Sequence, residues 1–154
     1  MDKTNVMRIL DTMNISYKIH TYDNTETNGE KAALLLGEDA SSVFKTLVTR
    51  SNTNNYYVFM IPVNAELDLK KAAKACGVKS IEMIKQKELL PLTGYIHGGC
   101  SPIGMKKACP TFIDETAILF DSIFFSGGKV GYQVEVNPSD LMKVIDVTII
   151  DLTK

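Results

Sequence analysis

The sequence contains no tryptophan, only two histidines and only three cysteines among its 154 residues. Two histidines are too few for a histidine-rich metal site. A mixed site would need His97, Cys100 and Cys109 together, and their spacing matches no zinc pattern. Because three is an odd number, we expect free, reduced thiols rather than a disulfide framework. The sequence therefore predicts neither a bound metal nor a cofactor.

Apolar runs long enough to span a membrane are absent as well. The longest apolar runs, around residues 57–63 and 117–125, fall far short of the ~20 residues that a membrane-spanning helix needs. The first residues, Met-Asp-Lys-Thr-Asn, are polar, and no signal-peptide core follows them. We therefore expect a cytoplasmic protein with no membrane partner.

The charges are nearly balanced, with 17 Lys and Arg against 18 Asp and Glu and a net charge of −1. This balance argues against a generic nucleic-acid coat protein, which would be strongly basic. It hides an asymmetry, since residues 70–107 carry eight lysines and two glutamates, a net +6 that leaves −7 for the rest. The basic segment predicts either solvated helix faces or a local patch for nucleic acid.

A length of 154 residues and a hydrophobic fraction of 45% predict one globular domain over residues 1–154. Apolar residues at helical spacing, or capping residues and glycine stops, predict helices over residues 4–14, 30–36, 68–76 and 138–145. Further short helices are predicted from Ser80 and over residues 85–90, the latter ended by Pro91.

Alternating apolar residues predict strands over residues 16–22, 43–50, 56–63, 111–113, 123–125, 132–136 and 147–152. Strands outnumber helices and are joined by tight turns. The predicted architecture is therefore a single α+β domain, in which helices flank a mixed, largely antiparallel, curved and barrel-like sheet.

One predicted strand carries a lysine between aliphatic residues. Alternation places Val43, Lys45 and Leu47 on one face of this strand. Lys45 is then either a solvated lysine on an edge strand or a lysine in a concave pocket. In a pocket, its ammonium could bind a phosphate, a carboxylate or a developing oxyanion.

The segment 94–104 has four glycines and one proline in eleven residues, so it cannot be a regular element. It is either a crossover loop or a rim of backbone N–H groups that a ligand oxygen can approach. Cys100 lies inside it, three residues after His97, which leaves a nucleophile–base pair or a packed free thiol as alternatives.

Two shorter segments also stand out. Ser126-Gly-Gly-Lys is either a plain hairpin turn or a ligand loop that offers N–H groups and the Ser126 hydroxyl. Tyr22, at the end of the first predicted strand, is either a half-buried tyrosine with a wet hydroxyl or a phenol that positions a substrate.

These motifs, taken in order with the Leu-Asp-Leu-Lys-Lys-Ala-Ala-Lys segment over residues 67–74, resemble the YbaK/EbsC family. The resemblance extends over about residues 7–151. Members of this family are free-standing relatives of the editing domain inserted in prolyl-tRNA synthetases. The resemblance implies an aminoacyl-tRNA deacylase with the fold of that editing domain.

The branch of the family is indicated by Thr46 after Lys45 and by the Gly-Gly-x-Ser-Pro-x-Gly loop. Both are similar to the branch that clears cysteine from proline tRNA and acts on Cys-tRNA more broadly. The resemblance implies that Lys45 is the essential lysine, which orients the terminal adenosine phosphate and the aminoacyl ester. It also implies a substrate-binding set made up of Tyr22, Thr46, Gly98, Gly99, Ser101, Ser126, Gly127 and Gln133.

Gln133 departs from the family pattern, which commonly has an acidic residue at this position. Glutamine accepts a hydrogen bond but supplies no charge for a substrate ammonium. The resemblance further implies two partners, the acceptor end of a tRNA that carries cysteine and prolyl-tRNA synthetase. In this setting the lysines of residues 70–107 would form a one-sided patch beside the pocket.

Two chemical routes remain open, since an aminoacyl ester is already activated and needs no strong protein nucleophile. Either a positioned water attacks the ester while Lys45 and loop N–H groups stabilise the oxyanion, or, as the resemblance implies, the cysteine thiol of the substrate attacks its own carbonyl. Two other functions also remain open. One is a deacylase for another small mischarged residue such as Ala or Ser, and the other is a non-catalytic tRNA-binding module.

Overall fold

The computed structural model describes residues 3–154. Its helices are α1 (Asn5–Thr12), α2 (Gly29–Leu36), α3 (Leu69–Cys76), α4 (Gln86–Thr93) and α5 (Pro138–Val144). Its strands are β1 (Lys18–Thr21), β2 (Phe44–Ser51), β3 (Tyr56–Pro62), β4 (Ile81–Met83), β5 (Thr111–Asp114), β6 (Ile123–Ser126), β7 (Tyr132–Val136) and β8 (Val147–Ile150). None of these helices has the length and apolar character that crossing a membrane requires.

The ends of two helices follow directly from the sequence. The side chains of Asn28 and Asp68 accept hydrogen bonds from backbone N–H groups in the first turns of α2 and α3. Gly37 and Gly77 stop the same helices in the left-handed conformation, each with φ of 68°. The predicted cap at Asp68 and the predicted glycine stops at Gly37 and Gly77 are confirmed.

The strands form two sheets, with orders β1-β7-β6 and β4-β2-β3-β5-β8. Four of the six strand pairs are antiparallel, while β3–β5 and β5–β8 are parallel. The predicted mixed, largely antiparallel sheet with flanking helices is therefore confirmed. The barrel-like closure is wrong, because within residues 3–154 the two sheets are joined by only one isolated bridge, between Val43, just before β2, and Phe124 of β6. A single bridge does not continue the hydrogen-bond ladder that a closed barrel requires.

The five-stranded sheet is buried on both faces. Val58 and Met60 of β3 point into the main core, which also takes in residues of α1, the three-stranded sheet and α5. Phe59 and Ile61 of the same strand point into a second core under α3. Burial on both faces explains why residues 58–61 form an unbroken apolar run rather than an alternating pattern.

Two local predictions were wrong. The helix predicted from Ser80 is the short strand β4, because residues 81–83 pair antiparallel with the end of β2 and bury Ile81 in the second core. A three-residue segment has too little periodicity to distinguish strand from helix. Pro91 does not end α4, which continues to Thr93 and stops at Gly94 with φ of 82°. Packing of Leu89 and Leu92 on the main core carries the helix past the proline.

Candidate active site

A gap beside the first half of β2 forms a cavity. β4 pairs only with residues 49–51 of β2, and β6 bridges only to Val43, the residue before this strand. Within the described residues, positions 44–47 therefore pair with no strand on that side. A cavity of about 480 Å³ opens there. This volume lies within the ~300–1,000 Å³ that small-molecule sites occupy. The cavity can therefore hold a small molecule or the end of a larger ligand.

Six of the nine predicted site residues line this cavity. β2 contributes two of them, and the others come from the end of β1, from β6 and β7, and from the glycine-rich segment 94–104. These segments are far apart in the sequence, and the gap between the two sheets brings them together. The six residues are Tyr22, Lys45, Thr46, Gly98, Ser126 and Gln133.

Lys45 is half-buried in the cavity wall. No carboxylate in residues 3–154 lies within 4.0 Å of its Nζ atom. The alternative of a fully solvated lysine on an edge strand is therefore not what the structure shows. The Lys45 ammonium remains available to a negatively charged group of a ligand in the cavity.

Two other lining side chains carry polar atoms that no hydrogen bond satisfies. The hydroxyl of Thr46 and the amide oxygen Oε1 of Gln133 are both buried without a partner, and Gln133 as a whole is only 4% exposed. Leaving such a group unsatisfied costs about 1–3 kcal/mol, so most buried polar atoms in proteins are paired. Both residues belong to the cavity wall, so a polar ligand there becomes a partner for these atoms if their side chains turn toward it.

Tyr22 and Ser126 complete the polar part of the wall. Burial raises the pKa of the Tyr22 phenol, so this group stays protonated at neutral pH and can donate a hydrogen bond. The Ser126 hydroxyl accepts a hydrogen bond from the backbone N–H of Gly128 at 3.1 Å, which orders the turn between β6 and β7. The hydroxyl proton of Ser126 remains free to bind a ligand oxygen.

Gly99, Ser101 and Gly127, also predicted to bind substrate, do not line the cavity. Ser101 is fully buried, and its hydroxyl accepts a hydrogen bond from the backbone N–H of Ile103 at 3.3 Å. Gly127 packs against Tyr132, where a Cβ atom would lie 3.3 Å from that residue's Cβ. Each of the three shapes a loop that borders the cavity.

Adjacent glycines hold two loops against each other. Gly98 has φ of +85°, and a Cβ atom there would lie 2.8 Å from the Cβ of Thr27. A Cβ atom on Gly99 would lie 3.0 Å from the backbone nitrogen of Val130. These close approaches bring the segment before α2 and the turn after β6 onto the glycine loop, so glycine is required there for packing.

We expect the substitution Gly98→Ala to lower the activity of this candidate site about tenfold and to destabilise the fold by about 1–3 kcal/mol, because it adds a backbone clash to left-handed strain. Gly77→Ala is the matched control. Gly77 also has a positive φ, but nothing lies within 4 Å of a Cβ atom there. Activity assays and urea unfolding of both variants measure the difference, and equal losses for the two would contradict this account.

Cys100 and His97 both line the cavity, but they do not form an activated pair. Burial raises the pKa of the Cys100 thiol to about 12, and Cys100 is only 8% exposed. A thiol with such a pKa is protonated at neutral pH and is a poor nucleophile. The structure therefore favours the packed free thiol over the nucleophile.

The segment just before α2 also lines the cavity, and sequence reasoning missed it. Thr27, Asn28 and Gly29 form part of the wall. The Asn28 side chain accepts a hydrogen bond from the backbone N–H of Lys31 at 3.1 Å and so begins the helix. The Asn-Gly pair signals a turn, but nothing in the local sequence shows that this turn faces the cavity.

The lysines of the basic segment do not all stay free. Lys71 pairs with Asp151 at 2.8 Å and donates to the backbone carbonyl of Thr153 at 2.7 Å, so it holds the end of the chain. The Lys107 ammonium lies 5.1 Å from the centre of the Tyr56 ring. Seven of the eight remain exposed and can meet phosphates, namely Lys70, Lys74, Lys79, Lys85, Lys87, Lys106 and Lys107.

Comparison with known proteins adds to this geometry. The model of the aminoacyl-tRNA editing domain family matches residues 23–144. A relative in Enterococcus faecalis, EbsC, is 42% identical over 153 residues, 98% of this chain and 93% of that protein. Its name gives deacylation of Cys-tRNA(Pro) and Cys-tRNA(Cys) as its proposed activity.

A second relative is a proline–tRNA ligase of Shouchella clausii, 30% identical over 110 residues. That match covers 71% of this chain but only 19% of the ligase. Among solved structures, one whose title proposes a trans-editing enzyme for prolyl tRNA synthetase superposes with a TM-score of 0.85. It is 22% identical and covers 99% of both chains, so it shows a common fold.

Proposed function

The chain belongs to the aminoacyl-tRNA editing domain family, and from this premise we propose that it is a deacylase that removes cysteine from tRNA. Proteins of this family act on aminoacyl-tRNA. EbsC is 42% identical to this protein along nearly the whole chain, and its name gives deacylation of cysteinyl-tRNA as its proposed activity. We propose further that residues 1–154 form one editing domain, which works in the cytoplasm.

The observation that carries the proposal is the ammonium of Lys45, which pairs with no carboxylate of residues 3–154 and lies in the wall of the cavity that Thr46 and Gln133 also line. An aminoacyl ester at the 3′ end of a tRNA combines a phosphate, ribose hydroxyls, a carbonyl and an amino group. Lys45 orients the terminal phosphate and the ester, and its positive charge stabilises the oxyanion that forms at the carbonyl. Thr46 and Gln133 then satisfy their polar atoms on the substrate.

The cysteine thiol of the substrate is the proposed nucleophile. Its sulfur forms a bond to the ester carbonyl carbon, the bond from that carbon to the ribose 3′ oxygen breaks, and the thiol proton passes to that oxygen. The products are free tRNA and a strained cysteine thiolactone, which water opens to cysteine. This route requires no protein nucleophile, in agreement with the raised pKa of Cys100. Attack by a positioned water is the competing route.

The proposed substrate is cysteine on tRNA(Pro), with Cys-tRNA(Cys) as a second. A cavity of about 480 Å³ holds the aminoacyl adenosine but not the body of a tRNA. The exposed lysines can bind the acceptor stem only weakly and in a salt-dependent way. We therefore propose that prolyl-tRNA synthetase helps select the tRNA.

A panel of charged tRNAs tests the proposal. Purified protein is given Cys-tRNA(Pro), Cys-tRNA(Cys), Pro-tRNA(Pro), Ala-tRNA(Pro) and Ser-tRNA(Pro), with and without prolyl-tRNA synthetase, and the remaining ester is measured over time. We expect fast loss of both cysteinyl esters and little loss of the others. Faster hydrolysis of the alanyl or seryl ester would identify a different editing specificity and overturn the proposal.

A further inference from the structure

The exposed lysines of residues 70–107 fall into two groups that different elements carry. The first group, which we call the α4 patch, lies on α4 and on the segment that joins α4 to β5, and consists of Lys85, Lys87, Lys106 and Lys107. The second group, which we call the α3 group, lies on α3 and in the turn after it, and consists of Lys70, Lys74 and Lys79.

The α4 patch adjoins the cavity. Leu89 of α4 lines the cavity wall and also packs on the main core. Lys85, at the start of this helix, precedes Leu89 by four residues, a rise of about 6 Å along the helix axis. The loop that lines the cavity at His97 and Gly98 continues to the other end of the patch at residues 106–107. A ligand chain that leaves the cavity on this side therefore meets the patch directly.

A series of contacts joins the two ends of the α4 patch. The Lys107 ammonium and the Arg50 guanidinium lie 5.1 and 5.5 Å from the centre of the Tyr56 ring. Arg50 also pairs with Glu88 of α4, and Glu88 accepts a hydrogen bond from the backbone N–H of Lys85 at 2.8 Å. Glu88 is the one acid of residues 84–110, and Arg50 compensates its charge. The patch is therefore a continuous basic surface.

The α3 group lies away from the cavity. Within the described part of the chain, no residue from 64 to 83 lines it. α3 begins beside β8, the edge of the sheet far from β2, where the backbone N–H of Asp68 donates to the Leu152 carbonyl at 2.8 Å. The backbone N–H of Lys79 donates to the Asn52 side chain at 3.2 Å, in the turn between β2 and β3. Since α3 packs on the second core and α4 on the main core, the two helices cover opposite faces of the sheet.

We propose that the α4 patch is the docking surface for the acceptor stem of the tRNA, whose phosphates it binds while the terminal adenosine lies in the cavity. The α3 group takes no part in this contact, so the lysines of residues 70–107 do not act as the one-sided patch that the sequence suggests. This inference rests on the proposed function and identifies the surface over which the RNA runs.

The charges around the cavity indicate the side on which the RNA leaves it. The segment 23–39, which forms the wall at Thr27, Asn28 and Gly29, carries five acids and one lysine, a net charge of −4. The segment 84–110 carries four lysines and one glutamate, a net charge of +3. A polyanion is repelled by the first segment and attracted by the second. The nucleotides before the terminal adenosine therefore run over α4 rather than over α2.

The chemistry of the patch fits an RNA backbone. No carboxylate of residues 3–154 lies within 4.0 Å of any of its four ammonium groups. Lysine binds phosphate as a point charge, without the fixed geometry that arginine imposes. Contacts to phosphate fix the position of a nucleic acid but do not read its bases. The patch thus holds the end of a tRNA in place whatever the sequence of its acceptor stem.

Two triple variants with the same change in charge test the proposal. The α4 variant carries Lys85→Gln, Lys87→Gln and Lys106→Gln, and the α3 variant carries Lys70→Gln, Lys74→Gln and Lys79→Gln. Lys107 is kept, because its ammonium also packs on Tyr56. Binding is measured at several salt concentrations to tRNA(Pro) and to a hairpin RNA that contains only its acceptor stem and CCA end. Urea unfolding checks that both variants keep the wild-type midpoint, as exposed substitutions usually do.

We expect the α4 variant to bind both RNAs about a hundredfold more weakly than the wild-type protein at about 0.1 M salt. The slope of log affinity against log salt should become smaller by about two, because each lost phosphate contact removes about 0.7–0.9 from it. The α3 variant should keep the wild-type affinity within about twofold. Equal losses in the two variants, or wild-type binding of the hairpin by the α4 variant, would overturn the proposal.

Two parallel measurements separate this proposal from other accounts. If the α4 variant loses binding to purified prolyl-tRNA synthetase but not to RNA, the patch is a surface for a protein and the proposal fails. Hydrolysis of Cys-tRNA(Pro) by the wild-type protein, with equal RNA binding by all three proteins, refutes only the docking surface. RNA binding that depends on the α4 patch, without hydrolysis of the ester, keeps the docking surface and refutes the proposed function.

Discussion

Replacing Lys45 with alanine is expected to lower kcat/KM for Cys-tRNA(Pro) by about 10²–10³-fold, the loss that follows removal of one oxyanion-stabilising donor. The ammonium lies in the cavity wall and pairs with no carboxylate of residues 3–154, so its charge is available to the substrate. Because Lys45 has no carboxylate partner, the Lys45→Ala substitution leaves no buried carboxylate without its counter-charge. We therefore expect a change in unfolding free energy of less than about 1 kcal/mol.

The measurement is deacylation of Cys-tRNA(Pro) at limiting substrate, combined with urea unfolding of each variant. Lys74→Ala is the matched control, since this lysine is exposed in the last turn of α3 and outside the cavity. Lys45→Arg keeps the charge but places it in a planar group of different reach, so it should restore activity only partly. Full activity in a folded Lys45→Ala protein would refute the assigned role.

Serine on the same tRNA is expected to be released more than about 200-fold more slowly than cysteine, beyond the range that cavity size alone provides. The two esters differ by one atom, and recognition by cavity size alone discriminates such small differences by only about 10–200-fold. A thiol with a pKa near ~8.5 is already a few per cent thiolate at neutral pH, whereas a serine hydroxyl is not ionised. Attack by the substrate's own side chain therefore favours cysteine strongly.

This comparison requires Ser-tRNA(Pro) and Cys-tRNA(Pro) with an identical tRNA body and subtraction of the spontaneous rate of each ester. Ala-tRNA(Pro) serves as the control that has no side-chain nucleophile. Seryl and alanyl esters should then be hydrolysed at similarly low rates. Equal rates for the seryl and cysteinyl esters would contradict the substrate-assisted route and favour attack by a water held near Lys45.

The regular elements could be predicted where local chemistry decides them. Asp68 and Gly77 mark the two ends of α3, and both act as the sequence indicates. β4 and the continuation of α4 through Pro91 could not be predicted locally. β4 depends on strand pairing with β2, and α4 depends on the packing of Leu89 on the core. The open gap between the two sheets also depends on contacts between distant segments, so the sequence suggested a barrel.

The candidate site shows the same division. Lys45, Thr46 and Gln133 were identified through their motifs, and the fold brings them to one cavity. Taken alone, the alternation in β2 left open whether Lys45 faces solvent. Gly99 was expected to bind substrate, yet it packs a loop, because a motif shows that a glycine is needed without showing what approaches it.

Multiple turnover of Cys-tRNA(Pro) tests the central claim most directly. Wild-type protein is mixed with a hundredfold excess of the charged tRNA at neutral pH, and the ester that remains is measured against a sample without protein. We predict that many equivalents of ester are lost per protein molecule, well above the spontaneous rate. Protection of one equivalent of ester with no turnover would instead identify a tRNA-binding module and contradict the account.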